Sequence, residues 1–383
     1  MFDSPARAWA HIRRLLVLTL ALLLVWFVLE SLVYRSGFYY RWLAEPRSNA
    51  GAVTLRLARA QNETGGTAPV VLVFGDSRVG EGFSKPVAQA QVPGLDFVNL
   101  AVPGSTPRTW YYLLRELQRR DTRFDAVVVG LPYRHIGGGE LANWSLDTLF
   151  MAPLVDPRDM WTFPASFTSE EMRRRAHRTV WTPALVMQAD TRALLSAPEA
   201  RRQHLDYRQW WLEHASNYAG REERMPALHF DAAGQVVDFS DADAGQRQKI
   251  EQHLRDVRVA EKPVNDAFLA HWLGQVLALA RAHDVPLIFY PHPRSPYPAL
   301  LPDFGDLPPS LAALANEPEV TVLPPDFLAD LEAPDYFFDT LHVNLHGREV
   351  ISRRVAQAVA QVIGHPLPDA DGSGADAKQV SPR

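Results

Sequence analysis

The sequence predicts an α/β protein that is attached to a membrane by its N-terminal segment. Three observations predict this fold class. A nearly uninterrupted apolar run occupies residues 15–34, short apolar runs alternate with amphipathic segments from residue 69 onward, and this alternation is broken between residues 136 and 263. Alternating strands and helices are typical of a parallel sheet that is covered by helices.

The apolar run at residues 15–34 is about long enough to cross a bilayer as one helix. Arg7, Arg13 and Arg14 precede it, so the positive-inside tendency leaves the start of the chain in the cytoplasm, although Arg35 and Arg41 behind the run weaken this bias. A cleaved signal peptide is the main alternative, but the run is long for one and carries no small-x-small cleavage site. We therefore expect residues 1–45 to form a single-pass signal anchor in the inner (cytoplasmic) membrane, with the rest of the chain in the periplasm.

Five short apolar runs predict the strands of one parallel sheet, since each is bounded by Gly, Pro or Asp. They occupy residues 70–74, 96–100, 126–129, 286–290 and 320–323. Apolar residues at helical spacing predict helices between the strands and after the last of them. These helices occupy residues 109–120, 264–283 and 346–363. The connections between the strands should be right-handed crossovers.

The stretch from residue 136 to residue 263 lacks the alternation and contains several short helical patterns. We interpret it as a helical insertion within an α/β domain of residues 46–368. Such an insertion either caps the ligand crevice or forms a surface patch, and the sequence favours neither interpretation. Residues 369–383 are polar and rich in small residues, which predicts a disordered tail.

The composition limits the classes of function that are open to the chain. An apolar fraction of 47% and a charged fraction of 22% are typical of a globular protein with a sizeable core. The formal net charge is only -5 and no dense lysine and arginine stripe occurs, so we expect no nucleic-acid partner. The absence of cysteine excludes thiol catalysis, disulfides and cysteine-ligated metal centres.

Polar residues follow the predicted strands at their C-terminal ends, which is the edge where open parallel sheets bind ligands. The segments are Gly75-Asp76-Ser77-Arg78, Val102-Pro103-Gly104, Pro132-Tyr133-Arg134-His135 and His292-Pro293-Arg294. Asp339 and His342 lie just before the last predicted helix. We therefore expect this pair to reach the same edge of the sheet.

The order of these motifs resembles the SGNH, or GDSL-type, hydrolase superfamily. Gly-Asp-Ser follows the first strand, a glycine follows the second, and D-x-x-H precedes the last helix, with Asn344 and Gly347 in register with the usual H-x-N-x-x-G continuation. The resemblance covers the exported domain except for the insertion. It implies Ser77 as the nucleophile and Asp339 and His342 as the acid and base that complete a triad. With the strand pattern, it predicts a flavodoxin-like three-layer α/β/α fold.

The chemistry of serine catalysis agrees with these roles. A serine hydroxyl is a poor nucleophile at neutral pH, so Ser77 requires a base such as His342 within hydrogen-bond reach. A spacing of three residues lets Asp339 hold the imidazole tautomer and stabilise the imidazolium. The tetrahedral oxyanion requires N–H donors, for which the backbone amides of Ser77 and Gly104 are the candidates.

Two residues depart from the pattern of the superfamily. Pro132 stands where an asparagine normally adds an oxyanion donor, so either Tyr133, Arg134 or His135 replaces it or the site uses two donors. Arg78 is the second departure, because an arginine directly after the nucleophile is less usual in the hydrolases. In this respect the chain resembles membrane-anchored members that work beside membrane-bound O-acyltransferases in decorating polysaccharides. These departures favour acyl transfer to a sugar over hydrolysis.

Each motif also has a purely structural interpretation. Gly-Asp-Ser is ordinary turn composition and D-x-x-H is common in a chain with 13 histidines, so the order of the motifs is what favours the triad. His342 and His346 with Asp339 also match metal-ligand spacing, but no fourth ligand is evident nearby, and we expect neither a metal nor another cofactor. Other residues are candidates for substrate binding or ordinary loop residues. They are Arg78, Tyr133, Arg134, His135, His292 and Arg294.

Three hypotheses for the function follow. The first is an O-acetyltransferase that modifies a cell-surface or secreted polysaccharide through a Ser77 acyl-enzyme, with the acyl group supplied by a membrane-bound O-acyltransferase. The second is a carbohydrate or lipid esterase with the same chemistry. The third is a non-catalytic scaffold that binds a glycan or a membrane complex, which the departure at Pro132 keeps open.

Overall fold

The computed structural model describes residues 5–132, 141–230, 236–238, 242–259, 266–298 and 306–367. Their contacts divide the chain into two compact units. Unit 1 comprises Met1–Thr54 and Thr148–Arg208, and unit 2 comprises Leu55–Asp147 and Gln209–Arg383. Residues 148–208 of the predicted insertion therefore group with the N-terminal segment, whereas the residues from 209 onward group with the sheet. The predicted tail at residues 369–383 lies outside the described residues.

The five predicted strands form one sheet in unit 2. The strands of the chain are β1 (Val70–Phe74), β2 (Asp96–Asn99), β3 (Ala126–Leu131), β4 (His229–Phe230), β5 (Val236–Asp238), β6 (Leu287–Pro291) and β7 (Val320–Val322). The sheet has the order β2-β1-β3-β6-β7, and every neighbouring pair is parallel. The prediction of a five-stranded parallel sheet is thus confirmed. Strands β4 and β5 form a separate antiparallel pair, too short for a periodic pattern to predict.

The described residues contain α-helices before, between and after the strands. They are α1 (Pro5–Glu30), α2 (Phe38–Trp42), α3 (Asn49–Glu63), α4 (Ser77–Gly82), α5 (Lys85–Gln91), α6 (Pro107–Arg119), α7 (Asp147–Phe150), α8 (Thr162–Ala165), α9 (Glu170–Trp181), α10 (Pro183–Val186), α11 (Gln188–Ser196), α12 (Pro198–His214), α13 (Ala244–Val259), α14 (Asp266–Ala282), α15 (Pro309–Leu314) and α16 (Leu345–Val362). The three helices predicted from the sequence correspond to α6, α14 and α16. In unit 2, α6 packs against α14, and α5 packs against α16.

The central strands of the sheet are buried along their whole length. Every residue of β1, β3 and β6 is buried. Because successive side chains of a strand point to opposite faces, both faces of the sheet are covered. On one face, Val71 and Ile288 belong to the same apolar cluster as Ile351 and Val355 of α16. This burial explains why the strands appear in the sequence as continuous apolar runs.

In unit 1, α1 is followed directly by a π-helical turn at Ser31–Arg35. The most apolar 18-residue stretch of Ala8–Trp42 has a mean hydropathy of 2.5, and only 6% of this stretch is buried. Within the described residues this is one helix that is long and apolar enough to cross a membrane. The side chains of Leu16 and Leu22, for example, are 56% and 69% exposed.

The core of unit 1 is built around aromatic residues that follow the apolar helix. Tyr34, Tyr39 and Tyr40 are buried in a cluster with Ala152 and Met187. A left-handed glycine, Gly37 at a φ of 79°, separates the π-helical turn from α2. The segment after the apolar helix is therefore folded back onto residues 148–208 within this unit.

Candidate active site

The turn after β1 presents Ser77 at the start of α4. A Cβ atom at Gly75 would lie 2.1 Å from the Cγ2 atom of Val79 and 2.9 Å from the carbonyl oxygen of Gly130, so only glycine fits at this position. Asp76 caps the helix, because its side chain accepts a hydrogen bond of 2.8 Å from the N–H of Arg78. The sequence therefore folds Ser77 onto the first helical position, where an N–H group has no partner within the helix.

The segment Asp339–His342 forms a tight loop in which the carboxylate is held beside the imidazole. The N–H of Phe338 donates to the carbonyl oxygen of His342 at 3.1 Å and closes the loop. The Oδ1 atom of Asp339 accepts hydrogen bonds from the N–H groups of Leu341 at 2.8 Å and His342 at 2.7 Å. These local bonds fix the direction of the carboxylate independently of its contact with the imidazole.

Asn344 joins this loop to α16. Its side chain is fully buried and accepts hydrogen bonds from the N–H groups of His346 at 3.0 Å and Gly347 at 3.2 Å, which caps the helix. Its Nδ2 atom donates to the carbonyl oxygen of Asp335 at 2.7 Å. The residue thus ties the end of the loop that carries His342 to the segment that precedes it.

Ser77, His342 and Asp339 form one chain of hydrogen bonds. The Nε2 atom of His342 lies 2.8 Å from the Oγ atom of Ser77, and its Nδ1 atom lies 2.9 Å from the Oδ2 atom of Asp339. The side chains of His342 and Asp339 remain 21% and 26% exposed, so small molecules reach the imidazole. The ring of Phe338 stacks on the imidazole at a centroid distance of 5.7 Å and restricts its rotation.

Asp339 is charged at neutral pH in this environment. Burial by itself raises the pKa of its carboxyl group, but the hydrogen bond and charge of His342 and the N–H groups of Leu341 and His342 outweigh burial and lower the pKa. A charged carboxylate favours the imidazole tautomer that has its proton on Nδ1. In that tautomer the Nε2 atom is free to accept the proton of Ser77.

The loop after β2 is tied to the turn that precedes Ser77. The N–H of Val102 and the Oγ atom of Ser105 both donate to the carbonyl oxygen of Gly75, at 3.0 Å and 3.1 Å. Gly104 has a φ of 72°, and its carbonyl oxygen accepts a hydrogen bond of 2.8 Å from the indole Nε1 atom of Trp144. These contacts fix the backbone at Gly104 and hold its loop close to the serine turn.

A buried polar cluster stabilises the start of α6, immediately after this loop. Asp147 accepts hydrogen bonds from Thr106 at 2.9 Å, Arg108 at 2.8 Å and Thr109 at 3.1 Å. The side chains of Arg108 and Asp147 are both 0% exposed. The sequence does not predict this cluster or the contact of Trp144 with Gly104, because the partners are far apart in the chain and form no local pattern.

Arg78 binds Asp76 rather than pointing freely into the site. Its Nε atom lies 3.1 Å from the Oδ2 atom of Asp76, and its Nη2 atom donates to the same carboxylate. Burial by itself raises the pKa of Asp76, but the charge and hydrogen bonds of Arg78 outweigh burial and lower this pKa to about 2. The side chain of Arg78 remains 25% exposed, so it offers part of its surface to a ligand.

His292 lies beside the end of β3, since its N–H donates to the carbonyl oxygen of Leu131 at 3.3 Å. Its side chain is 5% exposed, and burial together with the charge of Arg78 lowers its pKa to about 3. The imidazole is therefore neutral at physiological pH. By contrast, the guanidinium of Arg294 is bound to Glu332, with an Nη2–Oε2 distance of 2.7 Å.

The structure describes only some of the remaining candidate residues. Tyr133, Arg134 and His135 lie outside the described residues. The Nε2 atom of His346 faces a guanidinium nitrogen of Arg224 at 3.2 Å. Within the described residues, no group of three or more His, Cys, Asp or Glu side chains is arranged to hold a metal ion.

No protein-family model matches the chain, and no curated protein matches it either. The function is therefore inferred from the residues and their geometry. What the geometry provides is a serine hydroxyl on a histidine base, an oriented and charged carboxylate, and two glycine-containing loops tied together beside the serine.

Proposed function

We propose that this protein is a membrane-anchored, extracytoplasmic serine acyl-ester enzyme of the SGNH type, and that it transfers acetyl groups to the hydroxyls of a cell-surface or secreted polysaccharide. The observation that carries the proposal is the hydrogen-bonded chain from the Oγ atom of Ser77 through the imidazole of His342 to Asp339. A hydroxyl, a base and an orienting acid at these distances are the parts that covalent acyl transfer requires.

In the first half of the proposed reaction, the Oγ atom of Ser77 attacks the carbonyl carbon of the acyl donor while the Nε2 atom of His342 takes the hydroxyl proton. The carbonyl oxygen becomes an oxyanion, which the N–H groups of Ser77 and Gly104 stabilise. The imidazolium then returns its proton to the leaving group as the bond to that group breaks. Ser77 is left as an acyl ester and His342 as a neutral base.

In the second half, a sugar hydroxyl gives its proton to the Nε2 atom of His342 and its oxygen attacks the acyl-enzyme. The bond to the Oγ atom of Ser77 breaks, and the imidazolium returns the proton to that oxygen. The products are the acetylated sugar and the free serine. Water in place of the sugar gives acetic acid, so the same site supports an esterase as the second candidate, which the exposure of His342 favours.

Transfer is preferred to hydrolysis because of Arg78 and Pro132. With Arg78 directly after the nucleophile, the chain resembles members of the superfamily that work beside membrane-bound O-acyltransferases. We propose a membrane-bound O-acyltransferase as the source of the acyl group. Pro132 has no N–H and no side-chain donor, so it does not replace the usual third oxyanion donor.

The finer features of fold and location belong to the same proposal. Counting only the strands of the large sheet, their order is 2-1-3-4-5, which is the order of flavodoxin-like folds and supports a three-layer α/β/α arrangement. Arg7, Arg13 and Arg14, which precede the apolar run at residues 15–34, support an inner-membrane anchor with the site in the periplasm.

The proposal is tested with the full-length protein in detergent, using a chromogenic acetyl ester with and without a polysaccharide acceptor. The critical variant is Ser77→Ala, and Ser196→Ala is a matched control, because Ser196 is an exposed serine in unit 1. A fluorophosphonate, which forms a covalent bond to an activated serine as fluoride leaves, reports on the nucleophile without a natural substrate. Intact mass then shows whether Ser77 is modified.

We expect ester turnover and fluorophosphonate labelling in the native protein and in Ser196→Ala, and neither in Ser77→Ala. An acceptor-dependent acetylated product supports the transferase, whereas release to water with every acceptor supports the esterase. Equal turnover in Ser77→Ala would show that the proposed nucleophile is wrong. Absence of both turnover and labelling in the native protein would favour a non-catalytic scaffold.

A further inference from the structure

The end of the apolar helix α1 makes specific contacts with the segment where α9 meets α10. We call residues 181–185 of that segment the α9–α10 corner. The Oε1 atom of Glu30, the last residue of α1, accepts a hydrogen bond of 2.9 Å from the N–H of Ala184. The Nη2 atom of Arg35 donates to the carbonyl oxygen of Trp181 at 2.6 Å. The polar groups at the end of the apolar helix therefore hold this corner in place.

Aromatic contacts extend the same junction back along the apolar helix. The ring of Phe27, which lies about one turn before the end of α1, is 6.5 Å from the ring of Trp181. The guanidinium of Arg35 lies over the ring of Phe27, 4.6 Å from its centroid. Trp181 is thus beside a residue of the candidate membrane span.

The α9–α10 corner exposes large apolar side chains next to this junction. Trp181 is 40% exposed and Leu185 is 54% exposed. Phe38 and Trp42 on α2 have the same spacing of four residues. They are 50% and 57% exposed and follow the end of α1. Single exposed apolar residues are normal in proteins, but Trp181 adjoins the exposed apolar surface of α1 through its ring contact with Phe27.

The length of α1 places the corner near one boundary of a bilayer. A helical rise of about 1.5 Å per residue puts Glu30 about 24 Å beyond Arg14. The hydrocarbon core of a bilayer is about 30 Å thick, so if Arg14 lies at one boundary, Glu30 lies close to the other. Tryptophan is enriched at this level of membrane proteins, because its ring is apolar and its N–H is polar.

We propose that the α9–α10 corner is a second membrane contact, in which Trp181 and Leu185 insert into the interfacial layer of the bilayer that α1 crosses. The occupant is lipid, because Trp181 touches the exposed apolar surface of the candidate membrane span at Phe27, and Leu185 is exposed four residues beyond Trp181. Arg178 is exposed one turn before Trp181, where its guanidinium meets lipid phosphates. Residues 148–208 of unit 1 are then held against the membrane surface at this corner as well as through their contacts with the segment after α1.

The inference rests on the membrane anchoring in the proposed function, and its test separates the two. The chain has no cysteine, so single-cysteine variants of the full-length protein carry one environment-sensitive fluorophore each. The test positions are Trp181→Cys and Leu185→Cys, in nanodiscs of phosphatidylcholine and phosphatidylglycerol. Leu22→Cys reports on the anchor, and Glu171→Cys is the exposed control, about 15 Å from Trp181 along α9.

Quenching by nitroxide-labelled lipids and by an aqueous quencher measures where each label lies. We expect the labels at 181 and 185 to be quenched most by nitroxides near the headgroup and to be several-fold less accessible to the aqueous quencher than the label at 171. The label at 22 should be quenched most by nitroxides deep in the chains. The junction contacts described above are made by Trp181 and Ala184 and not by the side chain of Leu185. The Leu185→Cys variant therefore supports the inference even if Trp181→Cys disturbs the junction.

Three results overturn the inference in different ways. Labels at 181 and 185 that are as accessible to the aqueous quencher as the label at 171 show that the corner is in water. Labels that are shielded from water but not quenched by nitroxide lipids show that a protein covers the corner. If the label at 22 also escapes the nitroxide lipids, the anchoring itself is wrong, and both proposals fail at that point.

Discussion

Replacement of Asp339 by asparagine tests whether the tautomer of His342 is set by this carboxylate. In the native loop, the Oδ1 atom accepts two backbone N–H groups at 2.8 Å and 2.7 Å, and the Oδ2 atom faces the Nδ1 atom of His342 at 2.9 Å. An amide has only one oxygen, which must stay on the two N–H groups. Its NH2 group then takes the place of Oδ2, which at 2.9 Å is closer to Nδ1 than Oδ1 is at 3.1 Å, and favours the imidazole proton on Nε2, where this proton opposes proton transfer from Ser77.

The size of the effect follows from this change of tautomer. Loss of the orienting carboxylate by the same substitution in a serine triad lowers kcat about 10⁴-fold. At about 1.36 kcal/mol per tenfold change, we expect a barrier higher by roughly 4 to 5.5 kcal/mol for Asp339→Asn. The stability of the fold should change by less than about 1 kcal/mol, because the carboxylate is partly exposed and its backbone acceptor bonds remain.

The assay compares initial rates of acetyl-ester turnover and rates of fluorophosphonate labelling at Ser77. Asp335→Asn is the matched control: the same substitution in the preceding segment, at a carboxylate that is 75% exposed and pairs with Arg224 at 3.2 Å. We expect this control to keep the native rates and the native KM. Thermal unfolding of both variants shows whether the loop remains folded.

Two outcomes would refute the tautomer argument. A rate for Asp339→Asn within about tenfold of the native rate would mean that another group orients the imidazole, because a misplaced proton costs far more than that. An equal loss of rate in Asp339→Asn and Asp335→Asn would show that charge near the loop, and not the tautomer, controls the activity.

Three further predictions concern the surroundings of the triad. In Trp144→Phe, loss of the indole hydrogen bond to Gly104 should lower kcat up to about tenfold with little change in KM, as ester kinetics would show. Asp147→Ala leaves a buried guanidinium without its carboxylate and should destabilise the protein by about 3 to 5 kcal/mol, measured by denaturant unfolding. Because the folded-state pKa of Asp76 is lowered from 3.8 to about 2, its charge contributes roughly 2 kcal/mol of stability above pH 4, and this is lost as the pH falls toward 2. Unfolding measured across that range should therefore depend less on pH in Asp76→Asn than in the native protein.

The sheet and its site edge were predictable from the sequence because both depend on local patterns. Continuous apolar runs such as residues 126–129 arise from burial on both faces, and their bounding residues mark the strand ends. The hydrogen-bonded chain of Ser77, His342 and Asp339 was predictable because each of these residues follows a strand or precedes a helix in a fixed order. The contact between Asp147 and the start of α6 was not, since it joins residues about forty positions apart without a repeating pattern.

The positions of the cations in the site indicate how a developing oxyanion is stabilised. Arg78 is bound to Asp76 and Arg294 to Glu332, and His292 is neutral because burial lowers its pKa. Among these described side chains, none brings an unpaired positive charge to the serine. Among the described residues, the backbone N–H groups of the serine turn and of the loop after β2 are therefore the donors that we propose for the oxyanion.

Backbone donors act only if their loops are rigid, because the oxyanion forms at a fixed distance from the serine oxygen. In this protein the rigidity comes from bonds between the loops: Val102 and Ser105 bind the carbonyl oxygen of Gly75, and Trp144 binds that of Gly104. The substitution Trp144→Phe removes one such bond without touching the triad. Both fluorophosphonate labelling and ester turnover pass through an oxyanion at the same place, so we expect Trp144→Phe to lower the two rates in parallel, which would support the backbone donors. A normal rate of labelling together with a reduced rate of ester turnover would contradict them.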